Sequence, residues 1–199
     1  MNLPNKLSVL RICMVPLMSV FYLVGQDWAT IISIIIFLFA VFTDFLDGYI
    51  ARKTNQVTDL GKLLDPIADK LLVCFALFLI VEKGIFAQYS NLPVGVGGFC
   101  CSVIIGRELL VGLVRQIGAS KGVVIHANAW GKIKAIFQYV AIPVLMLLTL
   151  KNMLIAISPI IYQVFYWVGI VAFFIATILT IISAIIYVLQ NRHIFAETK

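Results

Sequence analysis

The residues in this sequence equipped for chemistry are carboxylates. Asp44, Asp47, Asp65 and Asp69 lie within the stretch Thr43 to Lys70, which carries five of the nine acidic residues of the chain. The first two are three residues apart and the last two four apart, so on helices each pair shares one face, about a turn apart. The sequence on either side is close to continuous hydrocarbon. Carboxylates at the edge of apolar helices repel one another and lose solvation, so they need a counter-charge. A hard divalent cation, or two, is the natural one.

Composition dictates the elements that must position this set. The chain has 199 residues, 62% hydrophobic and 12% charged, with a mean hydropathy of +1.08. A soluble domain has roughly 45–50% apolar and roughly 25% charged residues. The expectation is an all-α integral membrane protein, a single domain over 1–199. Apolar runs near 7–25, 29–51, 64–82, 94–115, 131–150 and 160–189 predict six transmembrane helices, each long enough to cross ~30 Å of hydrocarbon. The opening NLPNKLSVLR reads as a short N-terminal interfacial helix, with Asn5 a candidate N-cap and Lys6 and Arg11 at headgroup depth. The 84–93 segment reads as an outer loop and Ser120–Asn128 as an inner one.

Positive charge sorts onto alternate ends of these spans. Lys6, Arg11, Arg52, Lys53, Lys62, Lys70, Arg107, Arg115, Lys121, Lys132, Lys134, Arg192 and Lys199 fall on one side, and only Lys83 and Lys151 on the other. By the positive-inside rule both termini are cytoplasmic, and so are the aspartates. The net charge of +6 is then explained by anionic headgroups, with no nucleic acid required. Cys13, Cys74, Cys100 and Cys101 sit in or beside apolar runs and read as small buried hydrophobes. His126 and His193 have no second ligand at metal-binding spacing.

Smaller features flank the carboxylates. Gly48, Ala51 and Gly61 allow a neighbouring helix or a ligand phosphate to approach closely. Asp65 precedes Pro66 and doubles as a candidate N-cap. Asp59 reads as a solvated loop residue. Asp69, a turn inside its span, has no capping role, and an unpaired intramembrane carboxylate is functional by default. Arg107, Arg115, Lys132 and Lys134 share the aspartates' side of the membrane. Singly each can snorkel to lipid phosphate; together beside an acidic cluster they suggest an anion site, with Glu108 as a counter-ion for Arg107.

Written out, the acidic stretch is D-F-L-D-G-Y-I-A-R, eight residues, then G-K-L-L-D-P-I-A-D. It resembles the signature of the CDP-alcohol phosphatidyltransferase family, DxxDGxxAR(x8)GxxxDxxxD, at every defining position. Within that family, NLPNKLSVLR, IIGRELLVGLVR and GKIKAIFQ are most similar to the bacterial phosphatidylglycerophosphate synthases, which commonly carry a hydroxyl residue where this chain has Ala135. The resemblance implies transfer of a phosphatidyl group from CDP-diacylglycerol to sn-glycerol 3-phosphate, releasing CMP, at the cytoplasmic face of a bacterial plasma membrane. It implies one or two Mg²⁺ (or Mn²⁺) ions held by Asp44, Asp47, Asp65 and Asp69, with Asp69 also the general base. Asn5, Gly48, Arg52, Thr58 and Gly61 would face CDP-diacylglycerol, and Arg107, Arg115, Lys132 and Lys134 the acceptor phosphate. Small residues on several spans allow a homodimer. Another acceptor (serine, inositol phosphate, choline phosphate or phosphatidylglycerol) would leave the chemistry unchanged. A divalent-cation transporter is the rival of a different class, but it would place its acids near mid-bilayer.

Overall fold

The computed structural model describes residues 3–54, 59–89, 95–120 and 129–190, leaving aside the side chains of 3–5, 47–54, 59–66, 88, 89, 116, 117, 119, 120 and 129. Among the described residues the chain is all helix. In order the elements are α1 (Leu3–Val24), α2 (Asp27–Thr54), α3 (Asp59–Glu82), α4 (Ile85–Tyr89), α5 (Val96–Ser120), α6 (Ala129–Leu147), a 3₁₀ turn (Leu148–Leu150), α7 (Lys151–Ile157) and α8 (Pro159–Gln190).

Five of these segments are long and apolar enough to cross a membrane: Lys6–Val24, Asp27–Leu46, Val96–Arg115, Trp130–Ile157 and Pro159–Gln190. Their outward residues are as apolar as their inward ones. Leu17, Ile35, Phe39, Leu110, Ile136 and Ile178 are all exposed, and only 28–44% of each span is buried against protein. A helix that is apolar all round needs either a core or a lipid phase around it. Of the six expected spans, α3 falls outside this set. It is 24 residues long, and its described side chains run only from Ile67 to Glu82.

The helices form two groups. α1 packs on α2 and α3, while α8 packs on α6, α5 and α7. The groups meet where α3 touches α5 and α6, and where α2 touches α6. The core at this seam includes Met18, Phe37, Leu72, Ile80, Leu145 and Phe173. Hydroxyls inside the bundle find carbonyls rather than water. Ser33 on α2 donates to the Met18 carbonyl of α1 at 2.9 Å, and Thr177 and Thr180 donate to carbonyls one turn back in α8. Hydrocarbon offers no other partner, so each backbone and side-chain donor must be satisfied from within.

Several expectations are corrected. NLPNKLSVLR does not form a separate interfacial helix: Leu3–Val24 is one continuous helix, and Asn5 lies inside its first turn rather than capping it. Asp59 lies in a helix, α3, instead of a loop, and Asp65 lies within the same helix rather than at its N-cap. The expected outer loop at 84–93 contains α4, with Ile85 and Phe86 buried. Beyond residue 150 the chain stays helical through Ile157, because Lys151 and Asn152 are tolerated in a helix. It breaks at Ser158, which is extended (φ −169, ψ 129), and restarts with Pro159 at the first position of α8. Cys100 and Cys101 are buried, Cys74 is half-buried and Cys13 is exposed; all four thiols are free.

At the end of the bundle holding Gly25, α1 stops on that residue's left-handed backbone (φ +74), the usual way to end a helix and turn back. Lys83 reaches across to the Leu23 carbonyl there at 3.5 Å. α4 is pinned against α5 because Gly97 leaves room for the Phe86 ring, which in turn stacks on Phe173 at 4.7 Å between centroids. A Cβ at Gly97 would overlap the rigid Phe86 side chain, whereas one at Gly112 would meet only the flexible end of Lys70. Gly97→Ala should therefore destabilise by about 1–3 kcal/mol, the usual cost of overpacking. Thermal unfolding in detergent should show a lowered midpoint for Gly97→Ala and little change for Gly112→Ala.

Candidate active site

The polar residues gather at the opposite end of the bundle from Gly25 and Lys83. A cavity of about 230 Å³ opens there between α3, α5, α6 and α8. From α3 it is lined by Asp69, Lys70 and Val73, and from α5 by Arg107, Glu108 and Arg115. α6 contributes Gly131, Lys132, Lys134, Ala135, Gln138 and Tyr139, and α8 contributes Tyr187. Thus Arg107, Arg115, Lys132 and Lys134, which sequence groups only by side of the membrane, share one cavity with Asp69.

The spacing on α6 explains this. Positions 131, 134, 135, 138 and 139 follow the i, i+3, i+4, i+7, i+8 pattern of a single helix face. That face is small or polar, while Ile133, Ile136 and Val140 on the rest of the helix are exposed and apolar. On α5, Arg107 and Arg115 are two turns apart and project to the same side. Gly131 faces α5, where a Cβ would make an ordinary contact with Arg107 Nη2 at 3.6 Å.

Each buried charge is met from another helix or a neighbouring residue. Lys134 on α6, with only 3% of its side chain exposed, forms an ion pair with Glu108 on α5. Arg107 Nη1 lies 3.7 Å from the other Glu108 oxygen. Glu108 therefore serves two cations, and its closer partner is Lys134 rather than the expected Arg107. Tyr139 on α6 donates its hydroxyl to Asp69 Oδ1 on α3 at 2.8 Å. Arg115 lies over the ring of Tyr187, 5.9 Å from its centroid.

A second polar cluster adjoins the first. Arg11 on α1 is completely buried, and its Nη1 pairs with Asp44 Oδ1 on α2 at 2.7 Å. Arg11 thus turns into the protein instead of snorkelling outward: a guanidinium with a carboxylate in reach on the next helix is held inside, because pairing offsets its desolvation. Asp44 keeps 38% of its side chain exposed. α2, which carries Asp44, packs against α6, which carries Tyr139.

Two buried donors remain without a hydrogen-bond partner among the described residues: Arg107 Nε and Gln138 Nε2. An unsatisfied buried polar group costs about 1–3 kcal/mol, and such groups are rare enough to need a reason. Five basic and two acidic side chains line the cavity among the described residues. The excess of cations together with the unused donors suits an anionic ligand that carries hydrogen-bond acceptors.

Of the remaining candidates, the backbones of Asp47, Gly48 and Arg52 belong to α2 and those of Gly61 and Asp65 to α3. The side chains of Asn5, Asp47, Arg52 and Asp65 lie outside the described residues, and so does the whole of Thr58. Asp47 follows Asp44 by three positions on one continuous helix, and Asp69 follows Asp65 by four on another. Among the described residues no three acidic, histidine or cysteine side chains cluster as metal ligands. The described donors nonetheless fit a hard divalent ion. They are carboxylate oxygens, and a carboxylate accepts more bonds than Arg11 or Tyr139 uses.

Sequence reasoning passed over Arg11, Gln138 and Tyr139 as site residues. For Gln138 there was a signal: it follows Lys134 by one helical turn in an otherwise apolar run. Tyr139 carried none, because its partner is 70 residues away.

Comparison with known proteins identifies the family. The family model described as CDP-alcohol phosphatidyltransferase matches residues 1–196. A CDP-diacylglycerol–glycerol-3-phosphate 3-phosphatidyltransferase of Bacillus subtilis is 39% identical over 158 residues, covering 73% of this chain and 77% of its own. Proteins of the same name from Rickettsia bellii and Salmonella choleraesuis are 34% and 31% identical; the first alignment covers 94% of this chain and 93% of the relative, the second 96% and 95%. With its acidic signature, its apolar helices and a family match along almost its whole length, the chain belongs to the CDP-alcohol phosphatidyltransferase family.

Proposed function

We propose that this protein transfers the phosphatidyl group of CDP-diacylglycerol to sn-glycerol 3-phosphate, giving phosphatidylglycerophosphate and CMP. The observation that carries the reading is the cavity itself: Asp69 stands on one wall and Arg107, Arg115, Lys132 and Lys134 on the others. A phosphorylated alcohol placed there has cations for its phosphate and a carboxylate for its hydroxyl. An uncharged acceptor would leave the cations without a partner.

In the reaction, the acceptor hydroxyl attacks the lipid-side phosphorus of the diphosphate, forming a new P–O bond as the bond to CMP breaks. Asp69 takes the hydroxyl proton, and the hydrogen bond from Tyr139 fixes one of its oxygens so that the carboxylate keeps its orientation. Arg107 and its neighbours hold the acceptor phosphate, and with it the distance between hydroxyl and phosphorus. Arg52 engages the diphosphate as a guanidinium fork, with Asn5, Gly48, Thr58 and Gly61 on the same nucleotide side. Asp44, Asp47, Asp65 and Asp69 would hold Mg²⁺ or Mn²⁺, which when bound offsets charge on the diphosphate and acidifies the attacking hydroxyl. Asp44 keeps Arg11 from being an isolated buried charge before substrates arrive.

The same reading makes the protein a single membrane domain with six spans, α3 being the sixth. At 1.5 Å per residue, 24 residues reach about 36 Å, and its charges concentrate toward the two ends around an apolar middle, Leu71–Val81. Both termini and the cavity then face the cytoplasm of a bacterial plasma membrane, and a homodimer is the expected assembly. At this depth the diphosphate of a membrane lipid meets a phosphorylated acceptor arriving from water.

Purified protein in lipid–detergent micelles should release CMP from CDP-diacylglycerol with glycerol 3-phosphate, but not with serine or inositol phosphate. EDTA should abolish the release and added Mg²⁺ or Mn²⁺ restore it. Turnover with serine alone, or undiminished turnover in chelator, would contradict the acceptor or the metal respectively. Replacing Asp69 by Asn should lower kcat by about 10²–10⁴-fold, the usual worth of a positioned base; full activity would remove it from that role. Arg107→Ala should raise KM for glycerol 3-phosphate about tenfold or more, as loss of a charged hydrogen bond does. The KM for CDP-diacylglycerol should move far less, and the reverse pattern would put Arg107 on the nucleotide side.

A further inference from the structure

Gln138 is 4% exposed, lines the cavity between Lys134 and Tyr139, and its Nε2 has no hydrogen-bond partner among the described residues. Its neighbours are already committed. Lys134 is paired with Glu108 and the Tyr139 hydroxyl is bonded to Asp69, so neither leaves the amide a role as their support. A buried amide donor of this kind is satisfied by a ligand group that offers it a hydrogen bond.

The residue on either side of it indicates which part of the ligand it meets. Lys134 marks the phosphate end of the cavity and Asp69, through Tyr139, the end where the proton is removed. Gln138 stands between them along α6. In glycerol 3-phosphate the group between the phosphate and the attacking hydroxyl is the secondary hydroxyl, which takes no part in the transfer. A hydroxyl both donates and accepts, so it satisfies a carboxamide in either amide orientation. The phosphate and the attacking oxygen, by contrast, have cations and a carboxylate of their own.

We propose that Gln138 is the specificity-determining residue that hydrogen-bonds the non-reacting secondary hydroxyl of the acceptor, so that the enzyme selects a phosphorylated polyol over a phosphorylated simple alcohol. This assignment rests on the reading of the cavity as the acceptor site. A site built to bond a substrate hydroxyl discriminates strongly against the analogue lacking it, because its own polar group is then left unpaired.

The test compares glycerol 3-phosphate with 3-hydroxypropyl phosphate, which keeps the phosphate and the attacking hydroxyl and lacks only the secondary one. CMP release gives kcat/KM for both acceptors in the wild-type protein, Gln138→Leu and Gln138→Met. The wild type should favour glycerol 3-phosphate, and both variants should lower that preference at least tenfold. They should do so chiefly by losing activity toward glycerol 3-phosphate, while activity toward the deoxy acceptor stays within about threefold. The deoxy reaction thus reports on folding in the same tube, and the unbranched Met variant serves if the Leu variant misfolds. A preference ratio unchanged within twofold, or an equal fall with both acceptors, would overturn the assignment. Wild-type protein that releases no CMP with either phosphate would instead sink the acceptor reading, and this assignment with it.

Discussion

Arg11 reaches from the interior of α1 to Asp44 on α2, with none of its side chain in contact with solvent. Lys134 on α6 does the same toward Glu108 on α5, and Tyr139 on α6 toward Asp69 on α3. These contacts follow from one constraint: a charge at the end of an apolar bundle cannot stay unmatched, and the match has to come from another helix. Apolar packing between lipid-embedded helices is weakly directional. A bond between two particular polar atoms is not, and it fixes rotation and register together. Three such contacts tie α1 to α2, α5 to α6 and α3 to α6, and all lie at the end of the bundle that carries the cavity.

The matching is incomplete, and in one direction. Around the cavity, Glu108 serves both Lys134 and Arg107, Asp69 is engaged by Tyr139, and Lys70, Arg115 and Lys132 add positive charge beyond what those two carboxylates offset. Repulsion among like charges in a partly dehydrated space is unfavourable, so the arrangement is poised for an anion. On the function proposed above, the aspartates of the signature would supply the opposite imbalance, one that suits a cation. A phosphoryl transfer between two anionic substrates needs both kinds of place side by side: one where metal charge collects against the diphosphate and one where the second phosphate is held off from it.

How far the sequence reveals this arrangement depends on the kind of information each part needs. The aspartates were legible because their spacing is local: three and four residues along a helix put them on one face whatever the rest of the chain does. That Arg107, Arg115, Lys132 and Lys134 fall at one end of the bundle was legible too, since charge sorts with alternate helix ends. Their convergence on one cavity was not, because it depends on which faces of α5 and α6 meet. Arg11 illustrates the limit. Its distance from the helix start suggests snorkelling, and only the position of α2 shows that Asp44 is the nearer partner. Helix ends failed for a related reason. Lys151 and the 84–89 segment look like breaks in hydropathy, yet helix continues wherever backbone bonding is cheaper than exposing peptide groups at the membrane edge.

α6 links these levels. Its cavity face carries Lys134 for Glu108, Gln138 in the middle and Tyr139 for Asp69, so one residue of slippage, about 100° of rotation, would misdirect all of them at once. What prevents that rotation lies a turn and more away in the apolar half. There Gly169 on α8 sits so close to Val144 and Leu145 that a Cβ would be 3.1 and 3.2 Å from them. Leu145 and Met146 are fully buried in the same region. The close α6–α8 packing therefore acts as the clamp for the polar end. Apolar contacts hold the helix at its angle, and the buried bonds to Glu108 and Asp69 select the one setting of that angle in which Lys134 and Tyr139 both reach their partners.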